Sequence, residues 1–148
     1  MNDKKLRLAL LDMNNGFPNQ GMRCLRKIIG AYTDVLEYQE FEVRQKNELP
    51  GLDFDIYISS GGPGNPLEDE GLWLKRYKNF IDELWQHNVK EGSRKKYAFF
   101  ICPSFQLVSQ HFGLGRSPKE NPPPLVCTQS TKPPPVKRIC FSAGFPIY

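Results

Sequence analysis

The sequence predicts an α/β fold, a three-layer sandwich around a mostly parallel sheet. Three observations carry that prediction. Short apolar runs that read as buried strands recur at 6–13, 53–60 and 95–101, with an alternating run at 38–44. Amphipathic stretches of helical period separate them. Two of the runs end in chemistry-bearing turns, Gly61-Gly62-Pro63-Gly64 and Cys102-Pro103-Ser104. In sheets of repeated β-α-β units, sites form at the C-terminal ends of the strands.

In chain order, Leu6–Met13 is apolar enough for a strand covered on both faces. Asn14-Asn15-Gly16-Phe17-Pro18 makes a turn, and Asn19 suits the N-cap of a helix whose inner face uses Met22, Leu25, Ile28, Ile29 and Tyr32. Tyr38–Arg44 alternates like a strand nearer the edge of the sheet. Asp53–Ser60 is the next strand. Trp73, Tyr77, Phe80, Ile81, Leu84 and Trp85 recur at core spacing along one long helix. Lys95–Ile101 is the strand that delivers Cys102, and Ser104–Phe112 is the helix after it.

At 148 residues the chain is large enough for one domain with a core. Residues 1–115 balance 15 basic against 15 acidic side chains, so the net charge of +4 lies in residues 116–148. The folded part therefore carries no basic excess of the kind that marks a nucleic-acid partner. No apolar run is long enough for a membrane span. The first strand follows the N-terminus directly, and no leader sequence is expected. Cys24, Cys102, Cys127 and Cys140 have neither disulfide-frame nor metal-type spacing. A cytoplasmic protein without metal is the expectation.

A strand that runs through Tyr97-Ala98-Phe99-Phe100-Ile101 into Cys102, with a helix starting at once, is how α/β proteins present a nucleophile. A helix N-terminus favours negative charge at that place. The Gly-rich loop after the neighbouring strand leaves backbone N–H groups open to a ligand. Together they offer a nucleophile and oxyanion donors. Buried cysteines at strand ends and Gly/Pro turns are each commonplace, and it is the pair that carries the reading.

Ser60-Gly61-Gly62-Pro63-Gly64-Asn65-Pro66, followed by Ile101-Cys102-Pro103-Ser104-Phe105-Gln106-Leu107, resembles a class I (triad) glutamine amidotransferase domain over residues 6–115. It is most similar to the glutaminase domain of GMP synthase and its stand-alone relatives. The resemblance implies a flavodoxin-like fold and hydrolysis of glutamine to glutamate and ammonia through a γ-glutamyl thioester, with no cofactor. It implies Cys102 as nucleophile, Gly62 at the oxyanion hole, and Gly64 and Gln106 against the glutamine. It also implies a partner synthetase subunit, or solvent, that receives the ammonia. Two departures stand out. The family's nucleophile turn reads Gly-x-Cys-x-Gly, whereas here Pro103 follows the cysteine and has no N–H to offer the oxyanion. The family's triad needs a histidine and a glutamate, and no His-x-Glu occurs. His87 and His111 are the chain's histidines, and both read as structural or surface residues.

From residue 116 the pattern changes. Eight of the 13 prolines fall in 116–148, including Pro122-Pro123-Pro124 and Pro133-Pro134-Pro135. Such a tail continues neither helix nor sheet. It reads as a polyproline II linker or ligand, or as a frameshifted segment. With synonymous codons chosen freely, the neighbouring frame permits a charged, almost proline-free continuation. The expectation is an amidotransferase domain over 1–115, truncated at its C-terminal end and weak or inactive. A non-catalytic amidotransferase-like module that binds a partner synthetase is the alternative. Apolar surface left uncovered by the missing elements is expected to cost stability.

Overall fold

The computed structural model describes residues 5–65 and 71–114. The tail expected from residue 116 lies outside the described residues, as do residues 66–70.

Four strands form one parallel sheet: β1 (Leu6–Asp12), β2 (Leu36–Glu42), β3 (Ile56–Ser59) and β4 (Tyr97–Phe100). Their order across the sheet is β2-β1-β3-β4. This order is compatible with a flavodoxin-like 2-1-3-4-5 sheet. The register is regular, with Leu8 opposite both Tyr38 and Ile56, and Ile58 opposite Phe99. The helices are α1 (Gln20–Gly30), a one-turn α2 (Val43–Lys46), α3 (Leu72–Val89) and α4 (Pro103–His111). The fold class is therefore the α/β arrangement that the strand pattern predicts.

Alternation along the strands divides the core between the two faces of the sheet. Ala9, Leu11, Met13 and Tyr57 pack under Trp73, Tyr77, Phe80, Ile81 and Leu84 of α3 and under Leu107 and Val108 of α4. Leu8 and Leu10 meet Met22 and Ile29 of α1 on the other face. Trp85 is only half-buried and packs against Phe112, with ring centroids 5.3 Å apart.

Asn19 caps α1 as expected, accepting from Met22 N–H at 2.9 Å. The inner face of that helix is narrower than its sequence predicts. Ile28 is 59% and Tyr32 54% exposed. The helix ends at Gly30, so Tyr32 falls in the following turn. The strand carrying Cys102 is shorter and barer than its composition suggests. β4 is an edge strand on which Tyr97 and Phe99 stay exposed. They lie on the α1 side, opposite Ile56 and Ile58.

No helix among the described residues is long and apolar enough to cross a membrane.

Candidate active site

The sheet order reverses at β1, with β2 on one side and β3 on the other, and ligand crevices form at such switch points. The C-terminal ends of β1, β3 and β4 meet there. β3 continues into Ser60 and the glycine loop, and β4 into Ile101 and Cys102.

Cys102 is the N-cap of α4, with φ 53° and ψ −113°. A non-glycine residue seldom adopts a positive φ. A residue before proline is also normally driven to extended backbone. Such strain persists where the surroundings over-determine it, and it clusters at functional sites. Here it makes the sharp strand-to-helix turn that leaves Cys102 exposed at the end of the sheet. Pro103 is the first helical residue, where its fixed φ suits the helix and its missing N–H breaks no helical bond.

A buried chain of hydroxyls holds this turn. Ser104 Oγ donates to the Ser60 carbonyl at 2.7 Å. That uses its single proton. Ser59 Oγ is therefore the donor to Ser104 Oγ, at 2.8 Å, and Tyr77 Oη donates to Ser59 Oγ at 2.9 Å. The three side chains are buried, and burial pushes the Tyr77 phenol up to about 12. Each hydroxyl has a partner, so the network ties α3, β3 and α4 together without an orphaned polar atom. Ile101 N–H donates to Ser59 O, and Gln106 N–H to Cys102 O, fixing the backbone on either side.

The loop after β3 is held differently. Ser60 Oγ accepts from Met13 N–H at 3.0 Å and joins the loop to the end of β1. Gly61 is the glycine that faces the cysteine. A Cβ placed on it would lie 3.8 Å from Cys102 Cβ and 3.9 Å from Pro103 Cδ. Gly62 instead lies against Met13. A Cβ there would come within 2.9 Å of the Met13 carbonyl carbon and overlap its oxygen, so glycine is required by space rather than by φ. Gly64 has φ +82°, the left-handed region that glycine adopts without cost. From α2, the single turn that follows β2, Arg44 Nη1 donates to Pro63 O at 2.7 Å and to Met13 O at 3.4 Å. Its guanidinium lies 5.1 Å from the centroid of the Trp73 ring.

Cys102, Pro103, Gly62, Gly64 and Gln106 thus all lie on the two neighbouring turns at one end of the sheet. Gln106 is exposed one turn into α4. Pro103 leaves the peptide after Cys102 without an N–H, and the N–H groups of the neighbouring loop are those of Gly61, Gly62 and Gly64, since Pro63 has none either. The histidines are elsewhere. His111 closes α4, about 13 Å of helix beyond Cys102. Its Nε2 meets Asp82 Oδ1 at 2.7 Å, beside a cavity of about 350 Å³ lined by Leu74, Lys75, Lys78 and Asn79. His87 Nε2 meets Arg94 O at 3.0 Å, in the loop that leads into the N-terminal end of β4. Among the described residues, no group of three or more histidine, cysteine or carboxylate side chains is placed to hold a metal.

Arg44, Tyr77, Ser59 and Ser104 form no sequence motif. Ser104 adjoins the cysteine turn and was legible as part of it. Arg44 lies two residues past an alternating strand and is remote in sequence from the loop it holds.

Comparison with protein-family models, with curated proteins and with solved structures gives no match at the level of family, relative or fold.

Proposed function

We propose that this chain is a class I glutamine amidotransferase-type domain, with Cys102 as the nucleophile that forms a γ-glutamyl thioester. The observation that carries the reading is the strained backbone of Cys102 at the N-terminus of α4, beside the glycine loop of the adjacent strand. In the proposed reaction the Cys102 sulfur attacks the side-chain carbonyl carbon of glutamine. The amide nitrogen takes a proton and leaves as ammonia. Water then attacks the thioester, releasing glutamate and restoring the thiol. The N–H groups of Gly61 and Gly62 would face the oxyanion of both tetrahedral intermediates, and Gly64 and Gln106 would contact the substrate. The proton transfers are the weak point. Neither His87 nor His111 lies beside Cys102, and Pro103 removes one oxyanion donor, so slow turnover or none is expected. Losing one such donor costs about 3–4 kcal/mol of activation energy. The ammonia acceptor is a synthetase subunit or solvent, and the compartment is the cytoplasm.

Pro103 and the engaged histidines favour a second reading, in which the same turns bind glutamine or a partner synthetase without hydrolysing anything. One experiment separates these readings from a generic α/β protein. The chain is treated with a chloroketone analogue of glutamine, and adducts are located by peptide mass spectrometry. Cys24 is exposed and unpaired, as Cys102 is, and serves as an internal control. Labelling of Cys102 ahead of Cys24, slowed by added glutamine, is the expected result. Equal labelling of both, indifferent to glutamine, would sink the amidotransferase reading. Glutamate release from glutamine then decides between slow catalysis and binding alone.

A further inference from the structure

We infer that Arg44 is a positioning residue for the glycine loop, setting the direction in which the loop presents its amides. Three of its contacts are independent of one another. Nη1 donates to Pro63 O inside the loop, at 2.7 Å. It also reaches Met13 O at 3.4 Å, the carbonyl against which Gly62 is packed. Its guanidinium lies over the ring of Trp73, in the first turn of α3. One planar cation from α2 thereby joins the end of β1, the loop after β3 and the start of α3. Arginine suits this place because the two protons of Nη1, fixed in the guanidinium plane, serve two carbonyls while the face of that plane lies over an aromatic ring.

The consequence for the loop follows from peptide planarity. In a trans peptide, the C=O of one residue and the N–H of the next point in opposite directions. No peptide bond among the described residues is cis. Holding Pro63 O toward Arg44 therefore turns the Gly64 N–H away from the guanidinium, to the other side of the loop. Gly64 has no Cβ to block that side, and a Cβ there would meet nothing within 4 Å. Arg44 itself touches no reacting atom. It acts by fixing a peptide plane that glycine, on its own, would leave free to rotate.

The orienting role stands on geometry alone; its catalytic significance rests on the thioester reading. The test keeps the two apart. Arg44→Ala and Arg44→Lys are compared with the unaltered chain, with thermal unfolding as the folding control. Backbone order parameters at Gly62 and Gly64 are measured by NMR relaxation. Release of the Pro63–Gly64 peptide plane predicts that the Gly64 order parameter falls to about 0.6 or below in Arg44→Ala, with β1 amides unchanged and partial rescue in Arg44→Lys. Should Arg44→Ala fail to fold, Arg44→Lys carries the test. It keeps the charge and loses the planar group, and it must still lower the order parameter at Gly64. An unchanged order parameter at Gly64 overturns the inference whatever Cys102 does. Chloroketone labelling of Cys102, set against labelling by iodoacetamide, reads the catalytic consequence. Arg44→Ala should slow the first about tenfold and leave the second alone. Slowing of both reagents alike would assign Arg44 a merely structural role. Absence of any preference for the chloroketone in the unaltered chain would count against the thioester reading and leave the relaxation result standing.

Discussion

β3 and β4 run side by side, and each delivers one half of the candidate site, yet the two are secured by different means. β3 is interior, paired on both edges with β1 and β4, and Tyr57 and Ser59 on it are buried. Its loop is fixed by crowding and by one cation: Gly62 against Met13, and Pro63 O under Arg44. β4 is an edge strand with Tyr97 and Phe99 exposed. Its turn is fixed by the hydroxyl chain that starts at Tyr77, and it stores backbone strain at Cys102. The difference teaches that a loop meant to present amides is held by its carbonyls and by close approach. A turn meant to present a side chain is held by the residues around it, while its own backbone remains strained.

The largest expected effect tests the crowding on the β3 side. Gly62→Ala forces the loop away from the end of β1, because the obstacle is the Met13 backbone rather than a side chain that can turn aside. A loss of about 3 kcal/mol in urea unfolding is expected, at the upper end of overpacking costs. Gly64→Ala meets no atom and pays only for its left-handed φ, about 1–2 kcal/mol. Equal losses for the two substitutions would show that conformation, rather than space, governs the loop.

That contrast between the glycines also marks the limit of what the sequence discloses. The run Gly61-Gly62-Pro63-Gly64 announces a loop in which backbone matters. It does not say that Gly61 faces Cys102, that Gly62 is needed for space, or that Gly64 is needed for φ. The first depends on Cys102, about forty residues later in the chain, the second on Met13, about fifty residues earlier, and the third on the path of the loop itself. The strand pattern was legible because burial on both faces forces continuous apolar runs, as in Leu8–Leu11. The cysteine turn was legible because a strand, Cys102, Pro103 and a helix follow without a gap. Helical spacing misplaced Ile28 and Tyr32, since periodicity cannot say how far a helix extends or what lies beneath it. α2 is a single turn and has no periodicity to read, so the sequence pattern alone carries the strand on to Arg44.

The next effect tests the hydroxyl chain on the β4 side. Tyr77 is buried and its phenol is raised to about 12, against an ordinary value near 10. Below pH 10 the phenol is neutral in both folded and unfolded chains, and the stability it contributes is fully present. Between pH 10 and 12 the unfolded chain releases the proton while the folded chain keeps it. Stability is therefore lost as pH rises through that window, by about 2–3 kcal/mol. Tyr77→Phe should lose some stability at pH 7, because Ser59 then lacks a donor, but its curve should be flatter from pH 10 to 12. Denaturant midpoints measured across that range check this. Parallel alkaline losses in both chains would mean that Tyr77 is not the buried anchor of the turn.

The smallest effect bears on the strain itself, and so on the observation that carries the proposed function. At φ 53° and ψ −113°, Cys102 occupies backbone that an L side chain enters at a cost of about 1–3 kcal/mol. Glycine enters it freely, but loses about 0.5–1 kcal/mol through the greater freedom of the unfolded chain. Cys102→Ala keeps the strain and removes the sulfur, whereas Cys102→Gly removes both. The glycine variant should therefore be more stable than the alanine variant by about 1 kcal/mol, and at least as stable as the unaltered chain. The sign is the informative part, because at ordinary helix and strand positions glycine is the less stable of the two. A glycine variant less stable than alanine would place Cys102 on relaxed backbone and remove the structural ground for calling the turn a nucleophile elbow. A more stable one would mean that the fold tolerates a side chain at this position at the expense of its own stability, which is the relation expected of a residue kept for chemistry rather than for packing.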